Sequence, residues 1–403
     1  MMTEARFDKN VENIRMSPIV SISEEARRKG PEFHARTGKK ILLFQRGEID
    51  LPTPEYIRNA AKKAMDEGHT KYPKSGGEDF FKEGVIKKLE YFNKATGIGK
   101  ENIAATYGGQ EGLELTFKLF QGKKAGGFAP CWSCVLENFI PYAGTNFSEL
   151  PLNEDFSINF DDLKKLVKNI SFLYLNTPQN PTGKLFTKDE VLEVVKLCRQ
   201  NGVYLISDEA YEAITFEGKE HFSPISLDFD NIISVFTMSK TYAMTGWRVG
   251  YLVSRNKRIV ELIKMGNYTQ TAGVATFLQY AAGEALASKE ESDKHIKLMV
   301  GDFQKRRDQL MEGFRSIPGV KVEKPDGAFY LFPNFTELIP KGLKGEERNH
   351  FIYNLLMQNG IAAVHGSCFG HYFTDNMRFS FSTTPPEVIS EGIERMRQIF
   401  TQD

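Results

Sequence analysis

The chain has 403 residues, of which 41% are hydrophobic, so it is long enough for a sizeable core and for more than one domain. Its 52 lysines and arginines balance 52 aspartates and glutamates, and a formal net charge of zero gives no electrostatic reason to expect nucleic acid or an anionic membrane as a partner. The N-terminus is polar and no run of residues approaches the length of a transmembrane helix, so we expect a cytoplasmic protein.

Four cysteines are too few for a disulfide framework in a chain of this length, which agrees with a reducing compartment. Cys131 and Cys134 have the CxxC spacing of metal and redox sites. A zinc site would need a second pair of ligands, yet Cys198 and Cys368 stand alone and no closely spaced histidine pair accompanies them. The sequence therefore predicts no metal site.

The N-terminal part of the sequence predicts an arm, two helices and two loops. Residues 1–45 have the pattern of an arm and a helix, with a capped helix start at Ser23. Gly47 follows in a loop whose shape is fixed by two prolines, and a second helix is expected at 55–68. The next loop contains Tyr72, an aromatic hydroxyl in a position where packing does not obviously need one.

Short apolar strands alternate with helical patterns from about residue 100 to residue 255. This alternation predicts an α/β fold, with a mostly parallel sheet covered by helices and with ligands at the carboxyl ends of the strands. Beyond residue 261 the pattern predicts long helices. The predicted strands are 103–107, 172–176, 204–208, 232–236 and 249–253.

Lys240 comes shortly after one of these strands, where apolar residues give way to Thr237 and Ser239. The reference pKa of a lysine is about 10.4, so a free amine is scarce at neutral pH unless burial or a nearby cation lowers it. Arg248 is such a cation, and with the two hydroxyls it makes a plausible phosphate pocket. A lysine amine beside a phosphate site suggests a Schiff base with pyridoxal phosphate, and a solvated Lys and Arg are the alternative.

Two further features could contact a planar cofactor that carries a phosphate. Gly109 and Gln110 follow the first predicted strand, where glycines at a helix N-terminus let backbone amides approach an anion. A simple turn is the alternative for this segment. Trp132 follows a short strand in a loop, where its ring could stack on the cofactor or pack in the core.

The ends of two central strands carry polar side chains as well. Asn180 lies in a turn that two prolines make rigid, and its amide is a candidate donor to a phenolate or carboxylate. Asp208 ends a mostly apolar strand, where a carboxylate needs a cationic or hydrogen-bonding partner, such as a protonated pyridine nitrogen. Tyr211 is three residues further on and could reach O3′ of the same ring.

Arg378 belongs to a stretch near the C-terminus in which the pattern has a period of two. Its side chain shares a small polar face with Ser380 and Ser382, and no acidic neighbour on the strand can pair with it. A clamp for a carboxylate is the functional interpretation of this arginine, and an exposed strand arginine is the alternative.

Taken together, these residues resemble the class I and II aminotransferases, which are fold type I pyridoxal-phosphate enzymes, from about Arg15 to the C-terminus. Lys240 with Arg248 is similar to the family's S-x-S-K…R pattern. The run Asn-Pro-Thr-Gly at 180–183 matches the NPTG turn, and Asp-Glu-Ala-Tyr at 208–211 matches the D-x-x-Y segment. The motifs also occur in the order of the family.

This resemblance implies a role for each candidate residue. Lys240, Asp208 and Tyr211 are implied to be catalytic, and Tyr72 resembles the tyrosine that reaches the phosphate of a neighbouring subunit, which implies a homodimer with shared active sites. The implied cofactor-binding residues are Gly109, Gln110, Trp132, Asn180, Asp208, Tyr211, Thr237, Ser239, Lys240, Arg248 and Tyr72. The implied substrate-binding residues are Gly47, Trp132, Asn180 and Arg378.

The resemblance also implies a large cofactor-binding domain at 49–295 and a smaller α+β domain formed by 1–48 and 296–403. The implied activity moves an amino group between an L-amino acid and a 2-oxo acid. Gln110 stands where relatives that prefer dicarboxylates often carry a lysine, so we expect broad or neutral and aromatic specificity. Aspartate aminotransferase, a C–S lyase and an amino-acid oxidase are the alternatives, because the same residues serve their first step.

Overall fold

Residues 7–401 are described by the computed structural model, and this part of the chain contains twelve strands in three sheets. In chain order the strands are β1 (Leu42–Leu43), β2 (Ile103–Thr106), β3 (Lys124–Ala129), β4 (Asn146–Pro151), β5 (Phe172–Asn176), β6 (Tyr204–Asp208), β7 (Ile232–Thr237), β8 (Gly250–Val253), β9 (Tyr330–Leu331), β10 (Ile361–Ala362), β11 (Val364–His365) and β12 (Met377–Ser380).

The large sheet has the order β2-β8-β7-β6-β5-β3-β4. Its strands pair in parallel from β7 to β4, whereas β8 is antiparallel to both of its neighbours. The prediction of a mostly parallel sheet is thus confirmed. All five predicted strands are present, and each observed boundary lies within one residue of the predicted one.

Helices cover both faces of this sheet. Residues of β5 alternate between two hydrophobic clusters, because Phe172 and Tyr174 belong to the cluster on one face of the sheet while Leu173 and Leu175 belong to the cluster on the other. Burial on both faces explains why the strands have nearly continuous apolar sequences. The helices are α1 (Lys9–Glu12), α2 (Pro18–Thr37), α3 (Glu55–Asp66), α4 (Asp79–Tyr91), α5 (Gly108–Leu119), α6 (Ile140–Ala143), α7 (Phe160–Leu166), α8 (Lys188–Asn201), α9 (Met238–Thr241), α10 (Lys257–Thr271), α11 (Thr276–Ala287), α12 (Lys289–Arg315), α13 (Gly345–Gln358) and α14 (Pro386–Phe400).

One helix boundary differs from the prediction. Helix α2 begins at Pro18, five residues before the predicted start at Ser23. Proline suits the first position of a helix, because its fixed φ is helical and its missing N–H is not needed there. The predicted start at Ser23 was therefore wrong. Within residues 7–401, no helix is both long enough and apolar enough to span a membrane.

Two small sheets bring the N-terminal segment to the C-terminal part of the chain. Strand β1 pairs with β10 through Leu42 and Ile361, and β12 lies between β11 and β9. The amide of Ser380 on β12 also donates to the carbonyl of Phe44, at 2.7 Å. These contacts bring the loop that contains Gly47 close to β12, which carries Arg378.

Candidate active site

A cavity of about 1430 Å³ lies at the carboxyl ends of the parallel strands, between the large sheet and the N- and C-terminal segments. Parallel sheets bind ligands at this edge, because the loops that follow neighbouring strands meet there. Tyr72 does not line the cavity and is 89% exposed. The other twelve residues predicted from the sequence do line it: Gly47, Gly109, Gln110, Trp132, Asn180, Asp208, Tyr211, Thr237, Ser239, Lys240, Arg248 and Arg378.

Lys240 lies on the short helix α9, directly after β7. Its Nζ donates a hydrogen bond of 2.6 Å to the carbonyl oxygen of Gly47. Loss of contact with water and the positive charges of Arg378 and Arg248 together lower the pKa of Lys240 to about 8, while the charges of Glu48 and Asp208 oppose this shift. The cavity therefore holds an amine with an appreciable neutral fraction near neutral pH.

Several hydrogen-bond donors converge on one end of the cavity. The hydroxyl of Thr237 accepts from the amide of Ser239 at 3.2 Å and donates to its hydroxyl at 2.9 Å, which fixes the first turn of α9. Arg248 donates to the carbonyl of Thr245 at 2.9 Å and lies against Gly108, where a Cβ atom would be only 2.8 Å from its Nη2. Gly108 has a φ of 76° and opens α5. A guanidinium, two hydroxyls and a helix N-terminus together suit an anion such as phosphate.

Asp208 ends β6 and is buried. Its Oδ2 accepts a hydrogen bond of 2.7 Å from the hydroxyl of Tyr174, and its Oδ1 accepts from the amide of Ala210 at 3.2 Å. Burial raises the pKa of Asp208 to about 6, and these hydrogen bonds partly offset that rise. The carboxylate lies on the wall of the cavity, where a ligand with a protonated ring nitrogen could pair with it.

Asn180 links the strand ends to Arg378. The backbone amide of Asn180 donates to Oδ1 of Asn176 at 2.7 Å, and the side-chain Oδ1 of Asn180 accepts from Nη1 of Arg378 at 3.0 Å. Because Oδ1 is engaged by a cation, Nδ2 is left as the group that can donate to a ligand. The side chain of Asn180 is thereby oriented before a ligand binds.

Arg378 is fully buried on β12, so the alternative of an exposed strand arginine is wrong. Its Nη2 donates to the carbonyl of Gln45 at 2.7 Å, and its guanidinium carbon lies 4.4 Å from the centre of the Tyr330 ring. No carboxylate within residues 7–401 forms a salt bridge with it, and its buried Nε has no hydrogen-bond partner there. A buried cation without a counter-charge at a cavity is suited to an anionic ligand.

Three residues that the sequence did not single out complete the site. The hydroxyl of Tyr330 lies 2.9 Å from that of Tyr211, and a Cβ atom at Gly47 would lie 2.6 Å from it, so Gly47 makes room for Tyr330. The hydroxyl of Tyr174 donates to the carboxylate of Asp208, and the backbone carbonyl of Gln45 accepts from Arg378. The predicted strand at 172–176 contains Tyr174, but the sequence pattern alone does not identify which distant residue its hydroxyl meets.

The sequence profile described as "Aminotransferase class I and II" matches residues 39–396. The chain belongs to the class I and II aminotransferases. It is 32% identical to the probable aspartate/prephenate aminotransferase of Aquifex aeolicus, over 96% of this chain and 97% of that protein. It is 31% identical to aromatic-amino-acid aminotransferase 2 of Thermococcus litoralis, over 90% of this chain and 92% of that protein.

The fold is likewise that of solved aminotransferases. The aspartate aminotransferase of Thermus thermophilus, determined with maleate, matches with a TM-score of 0.89 at 27% identity, covering 98% of this chain and 100% of that one. Members of the family use pyridoxal phosphate, so this is the cofactor of the protein, and the chain has the fold type I architecture. The anion-binding donors beside Lys240 and the carboxylate of Asp208 fit the phosphate and the ring nitrogen of this cofactor.

Proposed function

We propose that this aminotransferase moves an amino group between an L-amino acid and a 2-oxo acid, with its pyridoxal phosphate held as a Schiff base on Lys240. The observation that carries the proposal is the environment of this lysine. Among the side chains that line the same cavity are Arg248, which lies beside the donors proposed for the phosphate, and the fully buried Arg378, which forms no salt bridge among residues 7–401. One cation suits the cofactor phosphate and the other suits the substrate carboxylate.

In this proposal the large sheet supplies the contacts to the cofactor. The hydroxyls of Thr237 and Ser239, the Arg248 guanidinium and the backbone amides of Gly109 and Gln110 bind the phosphate. Asp208 pairs with the ring nitrogen, and Asn180 and Tyr211 donate to O3′, while Trp132 stacks on the ring. These groups are supported as ligands by their convergence on a single cavity.

Pyridoxal phosphate, when bound, supplies an aldehyde that condenses with amines and a ring that withdraws electrons from the substrate Cα. The protein supplies the base. When a substrate amine displaces Lys240 from that aldehyde, the released Lys240 amine, whose pKa is lowered to about 8 by burial and the neighbouring arginines, would take the proton from the substrate Cα. Arg378 and Asn180 hold the substrate carboxylate, and the backbone of Gly47 lines the same pocket.

The specificity that we propose is broad, or neutral and aromatic. Gln110 presents no cation to a distal carboxylate, and the part of the cavity formed by the N-terminal segment includes apolar side chains. These apolar residues are Ile14, Met16, Ile19, Val20 and Leu43. Aspartate aminotransferase is the second candidate, because relatives at 32–33% identity from Pyrococcus horikoshii and Sulfolobus acidocaldarius carry that name.

We further propose a homodimer in which Tyr72 reaches the phosphate site of the neighbouring subunit. Tyr72 is 89% exposed, which leaves its side chain available for contact with another subunit and supports this proposal. We retain the division into a large domain, 49–295, and a small domain, 1–48 with 296–403, supported by the pairing of β1 with β10. Four free thiols support a cytoplasmic location.

A half-reaction screen tests the function. The purified holoenzyme is mixed with single amino acids while the absorption of the bound pyridoxal phosphate is followed, and then a 2-oxo acid is added. We expect the band to disappear with neutral or aromatic amino acids and to return with the 2-oxo acid. Release of ammonia, hydrogen peroxide or an eliminated product without formation of pyridoxamine phosphate would instead indicate a lyase or an oxidase.

A further inference from the structure

Tyr174 is a fully buried residue of β5 whose hydroxyl donates to Oδ2 of Asp208 at 2.7 Å. In the sheet register, Asn176 lies opposite Asp208 and Tyr174 lies opposite Ile206, so the phenol ring extends toward the carboxyl end of the strand to reach the carboxylate. The ring is packed against Phe117 of α5, with the ring centres 6.0 Å apart. The position of the hydroxyl is therefore fixed by the core of the sheet.

Among residues 7–401, Tyr174 is the one side chain that donates a hydrogen bond to the carboxylate of Asp208, whereas Asn176 donates to its backbone carbonyl. Within the same residues, the other carboxylate oxygen accepts from the backbone amide of Ala210, at a longer distance of 3.2 Å. Burial and the charge of Asp208 hold the pKa of Tyr174 well above its usual range, so its hydroxyl stays protonated. A donor that never loses its proton stabilises the ionised form of the carboxylate throughout the working pH range.

We propose that Tyr174 is a positioning residue for the reaction, because its hydroxyl fixes the orientation of Asp208 and keeps the carboxylate ionised. An ionised carboxylate is what a protonated ring nitrogen requires as its partner. The inference rests on the proposed function, in which Asp208 pairs with that nitrogen. We do not expect Tyr174 to touch substrate or cofactor, because its hydroxyl is hydrogen-bonded to Asp208 and acts on the reaction through that carboxylate.

The test compares Y174F with the matched control Y251F, using holoenzyme reconstituted with pyridoxal phosphate labelled with ¹⁵N in the ring. Tyr251 is a buried tyrosine of the same sheet whose hydroxyl forms no hydrogen bond with a carboxylate within residues 7–401. We expect the wild type and Y251F to keep the ring nitrogen protonated at pH 8, whereas Y174F gives a partly deprotonated signal. The kcat of Y174F should fall by about tenfold with little change in KM, as expected for loss of a hydrogen bond to a charge.

A double-mutant comparison tests whether Tyr174 acts through the charge of Asp208. In D208N the buried charge is absent, so Y174F/D208N should differ from D208N by less than about twofold in kcat. A tenfold loss in that background, or a Y174F enzyme whose ring nitrogen remains protonated like that of the wild type, would overturn the inference. If the wild type failed to bind the labelled cofactor or to react with any amino acid, the proposed function would fall and this inference with it.

Discussion

Arg378 stacks on Tyr330, with its guanidinium carbon 4.4 Å from the ring centre, and both side chains are buried. The stacking and the hydrogen bonds to Gln45 and Asn180 hold the guanidinium in one orientation before a ligand arrives. A cation held in this way loses little conformational freedom when a carboxylate binds. The geometry of the pair thus favours recognition of an α-carboxylate.

The substitution R378K tests this recognition, because lysine keeps the charge but cannot make two parallel hydrogen bonds or stack as a planar group. We expect the KM for amino acids to rise by about 100-fold, while the affinity for pyridoxal phosphate stays unchanged. R395K is the matched control, since Arg395 is a second buried arginine that binds the backbone carbonyls of Lys40 and Gly360. An unchanged KM in R378K would contradict the role of a carboxylate clamp.

The depressed pKa of Lys240 predicts how fast the apo-protein captures its cofactor. Only the neutral amine attacks an aldehyde, so the capture rate should increase about tenfold per pH unit below pH 8 and level off above it. The positive charge of Arg378 helps to lower this pKa, so R378Q should move the midpoint to higher pH. Stopped-flow measurements from pH 6 to 10 would record both profiles. Identical midpoints for the two proteins would show that Arg378 does not act on the amine.

A buried ion pair involves Glu212, the residue that directly follows Tyr211 in the chain. Lys88 on α4 binds Glu212, which also accepts a hydrogen bond of 2.8 Å from Asn93, and both charged side chains are less than a tenth exposed. Burial lowers the pKa of Lys88, and the charge of Glu212 opposes that shift. Removing one charge of this pair would therefore leave the other buried without a counter-charge, which would lower the free energy of unfolding.

E212Q would leave the buried ammonium of Lys88 without its counter-charge, and we expect the free energy of unfolding to fall by about 3–5 kcal/mol. The double variant K88M/E212Q should recover much of this loss, because it removes both charges. E193Q is the control, since Glu193 pairs with Lys196 on the surface and such pairs contribute about 0–1 kcal/mol. Urea unfolding measures all three variants, and equal losses in E212Q and E193Q would refute the prediction.

Five of the seven strands of the large sheet were predicted from the sequence with their ranges, whereas the contacts across the site were predicted only in part. Strands β5 and β6 were predicted with their observed bounds, because each is an apolar run buried on both faces that ends at a polar residue, Asn176 or Asp208. Tyr330 was not assigned to the site, since its hydroxyl meets that of Tyr211 across 119 residues of chain. Periodicity reports the face on which a side chain lies, and it carries no information about such long-range partners.

Chemical trapping tests the central claim most directly. Holoenzyme is reduced with borohydride, which converts a Schiff base to a stable secondary amine, and the peptides are then analysed by mass spectrometry. We expect the mass of the reduced cofactor on the peptide containing Lys240, and no such adduct in K240A. An adduct on another lysine, such as the buried Lys82, whose pKa is also lowered to about 8, would contradict the assignment of Lys240.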